Sequence, residues 1–185
     1  MRLSIAFTSA MIVRKILLLT AAMGITVVSL KVPAHAESVP SLPLSLSLDA
    51  VNEAIRVCGV KGFKVTVTVV DPDGIIKVQA RSDGTPIHSQ QFSFRKAYTM
   101  VSMGPMLGAD TSSALIKALS ASPQGLTNVQ GGSTPLLFLP GAALMRSGKT
   151  YIGAIGVSGA PSSLEDEVCA LSGIAKIQNG LDAGL

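Results

Sequence analysis

Paired β-strands constrain the fold of this chain more than any other sequence feature. Residues 63–71 read FKVTVTVVD, and the turn sequence Asp71-Pro72-Asp73-Gly74 leads into a returning strand at 75–81, IIKVQAR. Two further apolar strands are predicted near the carboxyl end, at 134–141 (TPLLFLPG) and 149–159 (KTYIGAIGVSG). Strands that are joined as hairpins pair antiparallel, so the sequence predicts an antiparallel sheet.

The residue pattern within these strands predicts what each face contacts. Residues 63–71 alternate between an apolar face and a polar face, the pattern of a half-buried strand; the apolar set is Phe63, Val65, Val67 and Val69, and the polar set is Lys64, Thr66 and Thr68. Gly153 and Gly156 interrupt the last predicted strand. Glycines inside a strand indicate a bulge or a close approach of another backbone.

Amphipathic patterns predict a helix at each end of the domain. The first begins near Ser47 or Asp49, and apolar residues at i, i+3, i+4 and i+7 place Cys58 on its buried face. The last follows a capping-box sequence at 162–165 and runs to about Gln178. Its predicted buried stripe is Leu164, Val168, Leu171 and Ala175.

Two shorter helical patterns lie between the strand pairs. One covers 89–103 and ends at Gly104-Pro105; the other covers about 111–120, with Asp110 or Thr111 as its cap. The predicted order is therefore α-β-β-α-α-β-β-α. This order indicates an α+β domain with a central antiparallel sheet flanked by helices.

The first 36 residues have the organisation of a secretory signal peptide. Basic residues precede an uncharged, mostly apolar segment at 16–30, and Ala34-His35-Ala36 supplies a small-residue cleavage signal. A membrane anchor is the structural alternative, but the apolar segment is shorter than the roughly 20 residues that span a bilayer. Translation could begin at Met1 or Met11, and Met11 would give a more ordinary leader.

The remaining boundaries follow from the leader. We expect a signal peptide at 1–36, an amino-terminal tail at 37–46, one domain at 47–178 and a carboxyl-terminal tail at 179–185. A cleaved leader predicts a periplasmic or secreted protein.

Removal of the leader also changes the charge of the chain. Four of the 15 basic residues lie in it, and none of the 11 acidic residues does, so the mature chain has a formal net charge of zero. The sequence pI of about 9.3 is mostly a property of the leader. A neutral domain gives no electrostatic reason to expect a nucleic-acid partner.

The two cysteines, Cys58 and Cys169, are a candidate disulfide in an oxidising compartment. Two buried free thiols are the alternative. If the first and last helices share a face of the sheet, the two cysteines come within reach of each other. Their wide separation in sequence excludes a CxxC redox motif and a zinc knuckle.

Residues 81–106 hold the main concentration of side chains suited to a ligand. The set is Arg81, His88, Ser89, Phe92, Phe94, Arg95, Lys96, Tyr98, Met100, Met103 and Met106. A flat apolar macrocycle such as haem needs apolar walls, an axial donor and cationic groups for its propionates. All three are represented. The alternative is that the aromatic residues and methionines belong to the core and that the basic residues are solvated.

Six motifs occur in an order that resembles the GlcG/HbpS family. They are VVDPDG (69–74), RSDG (81–84), RKAYT (95–99), GG-x-T-P (131–135), IGAIGVSGAP (152–161) and DEVCA (166–170). The family comprises small haem-binding or haem-degrading proteins, and its secreted members resemble this chain most. The resemblance covers about residues 47–178 and implies a profilin-like α+β domain, haem as cofactor in some members, and a homo-oligomer.

The resemblance also implies candidate site residues. In the haem-binding branch a hydroxyl residue after the R-x-DG turn is implicated at the haem, and Ser89 holds that position here, where threonine is expected. His88 precedes it and is an addition to the family pattern, either a second candidate ligand of the iron or a residue at the start of a helix. Lys96 matches the family lysine, either as the partner of a propionate or as part of an internal ion pair. Arg81 and Tyr98 come from the concentration of ligand-type side chains at 81–106 and complete the candidate haem-binding set.

Three functions follow as hypotheses. The first is an exported haem-binding protein for haem or iron sensing, sequestration or handling. The second is a haem-degrading enzyme, although no acid/base pair or flavin motif supports catalysis. The third is a non-catalytic oligomeric partner of a membrane sensor. The sequence favours a binding protein over an enzyme.

Overall fold

The helices and strands follow the predicted order. The structure, a computed structural model, describes residues 42–121 and 135–183. Its elements are α1 (Leu44–Val60), β1 (Thr66–Val70), β2 (Ile76–Arg81), α2 (His88–Leu107), α3 (Ser112–Ser120), β3 (Ala142–Ser147), β4 (Thr150–Ser158) and α4 (Ser163–Asp182). The α+β class with a central antiparallel sheet is confirmed. The predicted leader lies outside the described residues.

The sheet separates two apolar clusters. Its strand order is β2-β1-β4-β3, all neighbours are antiparallel, and Thr66 of β1 pairs with Arg81 on one side and Ser158 on the other. Helices α1 and α4 cover one face, and α2 with α3 covers the opposite face. The central strands β1 and β4 are therefore buried between two helical layers.

A disulfide joins the two helices of the first layer. Cys58 of α1 and Cys169 of α4 are bonded, with their Cα atoms 5.7 Å apart, and both are fully buried. The prediction that these helices share a face is confirmed.

Helix α1 begins at Leu44, earlier than predicted. Ser47 does not cap it, because its hydroxyl donates to the carbonyl of Pro43 inside the first turn (3.0 Å).

The prediction that β1 is half-buried was wrong. All five residues of the strand are buried, since α2 covers the face that carries the threonines. Thr66 Oγ1 lies 2.7 Å from Ser89 Oγ, and Thr68 Oγ1 lies 2.7 Å from Ser93 Oγ. Hydroxyls that bond to a covering helix can be buried without the cost of an unsatisfied polar group.

The predicted strand at 134–141 is also corrected. The described part of this segment is irregular, and strand β3 begins just after it, at Ala142. Side chains of α2 take the backbone groups that a strand partner would use. Arg95 Nη2 donates to the carbonyl of Leu136 (2.7 Å), and the N–H of Leu137 donates to Thr99 Oγ1 (2.8 Å).

Helix α4 buries a different face from the one predicted. Leu164, Val168 and Leu171 are 58%, 45% and 42% exposed, and Ala175 is exposed too. The buried residues are Asp166, Glu167, Cys169, Ala170, Gly173, Ile177 and Leu181. The inner face includes two carboxylates that have partners, Asp166 with Lys96 and Glu167 with Ser112. Apolar periodicity alone therefore predicted the wrong face of the helix as buried.

The carboxyl-terminal ends of α2 and α4 differ from the predicted ends. Helix α2 continues through Gly104-Pro105 to Leu107, and α4 continues to Asp182. Thr111 caps α3, as one of the two predicted candidates, by accepting the N–H of Ala114 (3.2 Å). Within residues 42–121 and 135–183, no helix has the length and apolar character that a membrane crossing requires.

Candidate functional site

A cavity of about 330 Å³ opens where the start of α2 meets the end of β4 and the start of α4. Its lining combines apolar and polar side chains: Pro86, His88, Phe92, Lys96, Leu139, Ser158, Gly159, Ala160, Ser163 and Asp166. His88, Phe92 and Lys96 are spaced four residues apart and so share one face of α2. The volume is at the lower end of the roughly 300–1,000 Å³ of small-molecule sites.

A buried ion pair forms one wall of this cavity. Lys96 Nζ lies 2.8 Å from Asp166 Oδ2 and donates to the carbonyl of Val157 (3.1 Å). The N–H of Ala160 donates to Asp166 Oδ1 (2.9 Å). The Lys96 and Asp166 side chains are 1% and 3% exposed. Together these bonds tie α2, β4 and α4 to one point.

Burial shifts the pKa of each partner in the direction that favours its neutral form. Desolvation lowers the pKa of Lys96, and the neighbouring Asp166 and Glu167 carboxylates oppose the shift. Desolvation likewise raises the pKa of Asp166, opposed by Lys96 and by the Ala160 N–H. The mutual attraction of the pair therefore works against a substantial desolvation cost.

Gly141 provides the space for the ion pair. Its φ is +120°, and a Cβ at this position would lie 2.7 Å from Lys96 Nζ and 2.9 Å from Asp166 Cβ. Any side chain there would displace the pair. The tight turn into β3 thus depends on glycine for both conformational and steric reasons.

His88 lies on the rim of the cavity. It is the first residue of α2, its side chain is exposed, and its ring packs edge-on against Phe92 with a centroid separation of 5.2 Å. An imidazole in this position is accessible to a ligand that enters the cavity.

The other three predicted residues lie elsewhere. Ser89 belongs to α2 and is fully buried between this helix and β1, where its hydroxyl bonds to Thr66 and donates to the carbonyl of Pro86 (2.6 Å). Tyr98 packs against Phe94, with ring centroids 5.8 Å apart, and neither ring lines the cavity. Arg81 donates to the carbonyl of Thr85. The structure therefore brings together His88 and Lys96 but not Ser89, Tyr98 or Arg81.

Asp166, Ser158 and Ser163 were missed as site residues. One signal could have identified Asp166, because it precedes Cys169 by three residues and so shares its helix face. No comparable signal distinguishes the serines, since their place in the cavity depends on how β4 and α4 meet.

These features define an α+β domain with a small cavity lined by apolar and polar side chains. The family model described as "Haem degrading protein HbpS-like" matches residues 42–175. The chain belongs to this HbpS-like family. No match was found among curated protein sequences.

Solved structures show the same fold. A double mutant of Streptomyces reticuli HbpS is 32% identical, with a TM-score of 0.65 over 75% of this chain and 88% of that chain. The ORFY protein of Klebsiella pneumoniae is 19% identical, with a TM-score of 0.68 over 77% and 94%. PduOC in complex with haem is 22% identical, with a TM-score of 0.64 over 75% and 96%.

Proposed function

We propose that this chain is an exported haem-binding protein that senses, sequesters or handles haem or iron, and that haem binds at the cavity beside His88. The observation that carries the proposal is the accessible His88 imidazole next to Phe92 and the cavity, in a chain of the HbpS-like family.

Export is proposed from the leader sequence, and mass spectrometry of the mature protein would reveal cleavage after Ala36.

The residues of the cavity suit haem in two respects. His88 supplies an axial donor, and Phe92, Leu139 and Pro86 supply apolar walls. Lys96 does not act as a free cation for a propionate, because Asp166 already pairs with it. When bound, haem would supply the iron chemistry, and this chain would hold the macrocycle and shield one edge of it from water.

A hemin titration tests the proposal. Purified mature protein should give a Soret band, and His88→Ala should shift that band or weaken binding, because the axial donor is lost. Phe92→Ala should weaken binding through loss of an apolar wall. Phe94→Ala is the matched control, since that ring lies outside the cavity and should leave the hemin affinity unchanged. Hemin binding with no response to either cavity variant would remove this site assignment.

Ser89→Ala separates two roles for that residue. If Ser89 ligates iron, the Soret band should change as it does for His88→Ala. The hydrogen bonds of its hydroxyl to Thr66 and Pro86 favour a structural role instead, with lower stability and an unchanged spectrum.

Haem degradation is the second candidate, because the matching family model is described as haem degrading. In this case hemin, dioxygen and a reductant should yield an open-chain tetrapyrrole and free iron. Loss of the Soret band without such a product would indicate bleaching only.

Assembly is supported by a separate observation. Leu164, Val168 and Leu171 form an exposed apolar row on α4. A row of this kind suits a partner surface, so a homo-oligomer or a complex with a membrane sensor is proposed. Light scattering of the mature protein would give its mass in solution.

A further inference from the structure

Two serine hydroxyls in the cavity have no hydrogen-bond partner in the described parts of the chain. Ser158 ends β4 and is only 4% exposed, and Ser163 is the first residue of α4. Both line the cavity. The Ser158 side chain is nearly covered, yet it lines the cavity with an unpartnered hydroxyl, so that hydroxyl can bond to a ligand atom there.

Further donors surround the two hydroxyls. An ammonium has three N–H donors, and Lys96 uses two of them on Asp166 and Val157 within the described residues. The cavity also borders the start of α4, a helix of 20 residues. Ser162 accepts the N–H of Leu164 with its hydroxyl and those of Glu165 and Asp166 with its carbonyl, so within the described residues the N–H of Ser163 is the donor left at this helix end. The positive end of the macrodipole favours an anion there.

The acidic side chains near this helix end are each neutralised or occupied. Asp166 pairs with Lys96, and Glu165 pairs with Lys61. Glu167 accepts from Ser112 Oγ (2.8 Å) and from the N–H of Ser113 (2.9 Å), and so serves the start of α3. Each of these three carboxylates therefore already has a partner among the described residues.

We propose that this end of the cavity binds a carboxylate, with the hydroxyls of Ser158 and Ser163 and the backbone N–H of Ser163 as its donors. The inference rests on the proposed function, because the carboxylates that haem carries are its two propionates. A free carboxylic acid presents the same group. The serine hydroxyls take the role that the sequence had suggested for Lys96, which is committed to Asp166.

Hemin and its dimethyl ester provide the test, because methylation removes the charge of the two propionates and leaves the macrocycle and iron unchanged. Wild-type protein should bind hemin about tenfold or more tightly than the ester, since hydrogen bonds to a charged carboxylate are stronger than those to a neutral ester. Ser158→Ala should remove about tenfold of the hemin affinity and leave the ester affinity unchanged. Ser163→Ala should act in the same direction.

Ser172→Ala is the matched control. Its hydroxyl also belongs to α4 but donates to the carbonyl of Val168 outside the cavity, so neither ligand should respond. Equal losses for hemin and ester in Ser158→Ala, or equal affinity of the two ligands for wild-type protein, would overturn the carboxylate site. Ser163→Ala gives the same readout if Ser158→Ala does not fold.

Sodium acetate separates this inference from the haem proposal. If hemin does not bind, haem binding fails as a function, and the carboxylate site is tested by amide NMR shifts on titration with acetate against chloride at equal ionic strength. Shifts at Ser158 and Ser163 that Ser158→Ala abolishes would support a free acid as the ligand. Absence of both hemin binding and acetate shifts would overturn the site.

Discussion

The Lys96–Asp166 pair is the residue-level feature on which the cavity wall depends. Removing two charges from water costs several kcal/mol for each ion, and their attraction compensates only with good geometry and additional hydrogen bonds. Here the carbonyl of Val157 and the N–H of Ala160 supply those bonds. The pair is therefore costly to break and serves mainly to fix where α2, β4 and α4 meet.

A double-mutant cycle should reveal this coupling. Lys96→Met should reduce the free energy of unfolding by about 3–5 kcal/mol, because Asp166 is left buried without its partner. Asp166→Asn should have a similar effect, although an amide oxygen still accepts from Ala160. The double variant should lose less than the sum of the two, since no unpaired charge remains. Urea unfolding of the four proteins measures the cycle.

The exposed Glu53–Arg56 pair is the control for that cycle. Its N–O distance of 2.7 Å is close to the 2.8 Å of the buried pair, but water screens it, so the cycle of Glu53→Gln and Arg56→Met should give no measurable coupling. Strictly additive losses for Lys96→Met and Asp166→Asn would contradict the role assigned to the buried pair.

At the scale of elements, the backbone of α2 comes close to β4 at Gly156. Gly156 of β4 lacks a side chain where the helix crosses, and a Cβ there would lie 2.2 Å from the carbonyl oxygen of Ser93 and 2.7 Å from the nitrogen of Ala97. The predicted close approach at Gly156 is thereby confirmed. The paired hydroxyls of β1 and α2 hold the same interface.

Gly156→Ala should force α2 away from the sheet. We expect a loss of about 1–3 kcal/mol in the free energy of unfolding, the usual range for overpacking, because the obstructing atoms are backbone and cannot rotate aside. Gly59→Ala is the control. Nothing lies within 4 Å of a Cβ at Gly59, which is helical, so alanine there should be neutral or slightly stabilising. Thermal melting of both variants measures the difference, and equal melting temperatures would contradict the close approach.

At the scale of the whole molecule, the disulfide links the beginning of the domain to its end. Cys58 and Cys169 are 111 residues apart, so the bond restricts most of the unfolded chain. It also links α1 covalently to α4 on the face of the sheet opposite α2. The cavity wall and the disulfide are close along α4, since Asp166 precedes Cys169 by three residues.

Removing the disulfide should lower global stability without changing the fold. Cys58→Ala combined with Cys169→Ala should reduce the free energy of unfolding by about 2–4 kcal/mol. Urea unfolding with and without a reductant gives the measurement. The reductant should destabilise the wild-type protein and leave the double variant unchanged; an effect of equal size on both would show that the disulfide is not its target.

Features set by residues close together in the chain could be predicted from the sequence, and features set by contacts between distant residues could not. Turn chemistry and alternating residues are local, and they predicted the element order, the hairpins, the cap at Thr111 and the α+β class. The burial of Thr66 and Thr68 could not be predicted this way, because hydroxyls pointing at water and hydroxyls bonded to a helix give the same pattern. The inner face of α4 was misassigned for the same reason, since buried Asp166 reads as a surface acid.

The sequence by itself determined the order of elements, the candidate disulfide, the resemblance to the family and the concentration of ligand-type residues in α2. Only the tertiary structure decided which of those residues share a cavity. Ser89 and His88 are neighbours in the chain, yet one hydroxyl lies beneath the helix and one imidazole lies on the cavity rim. Adjacent helical residues point about 100° apart, so the packing of α2 against β1 and β4 selects the ones that can meet a ligand.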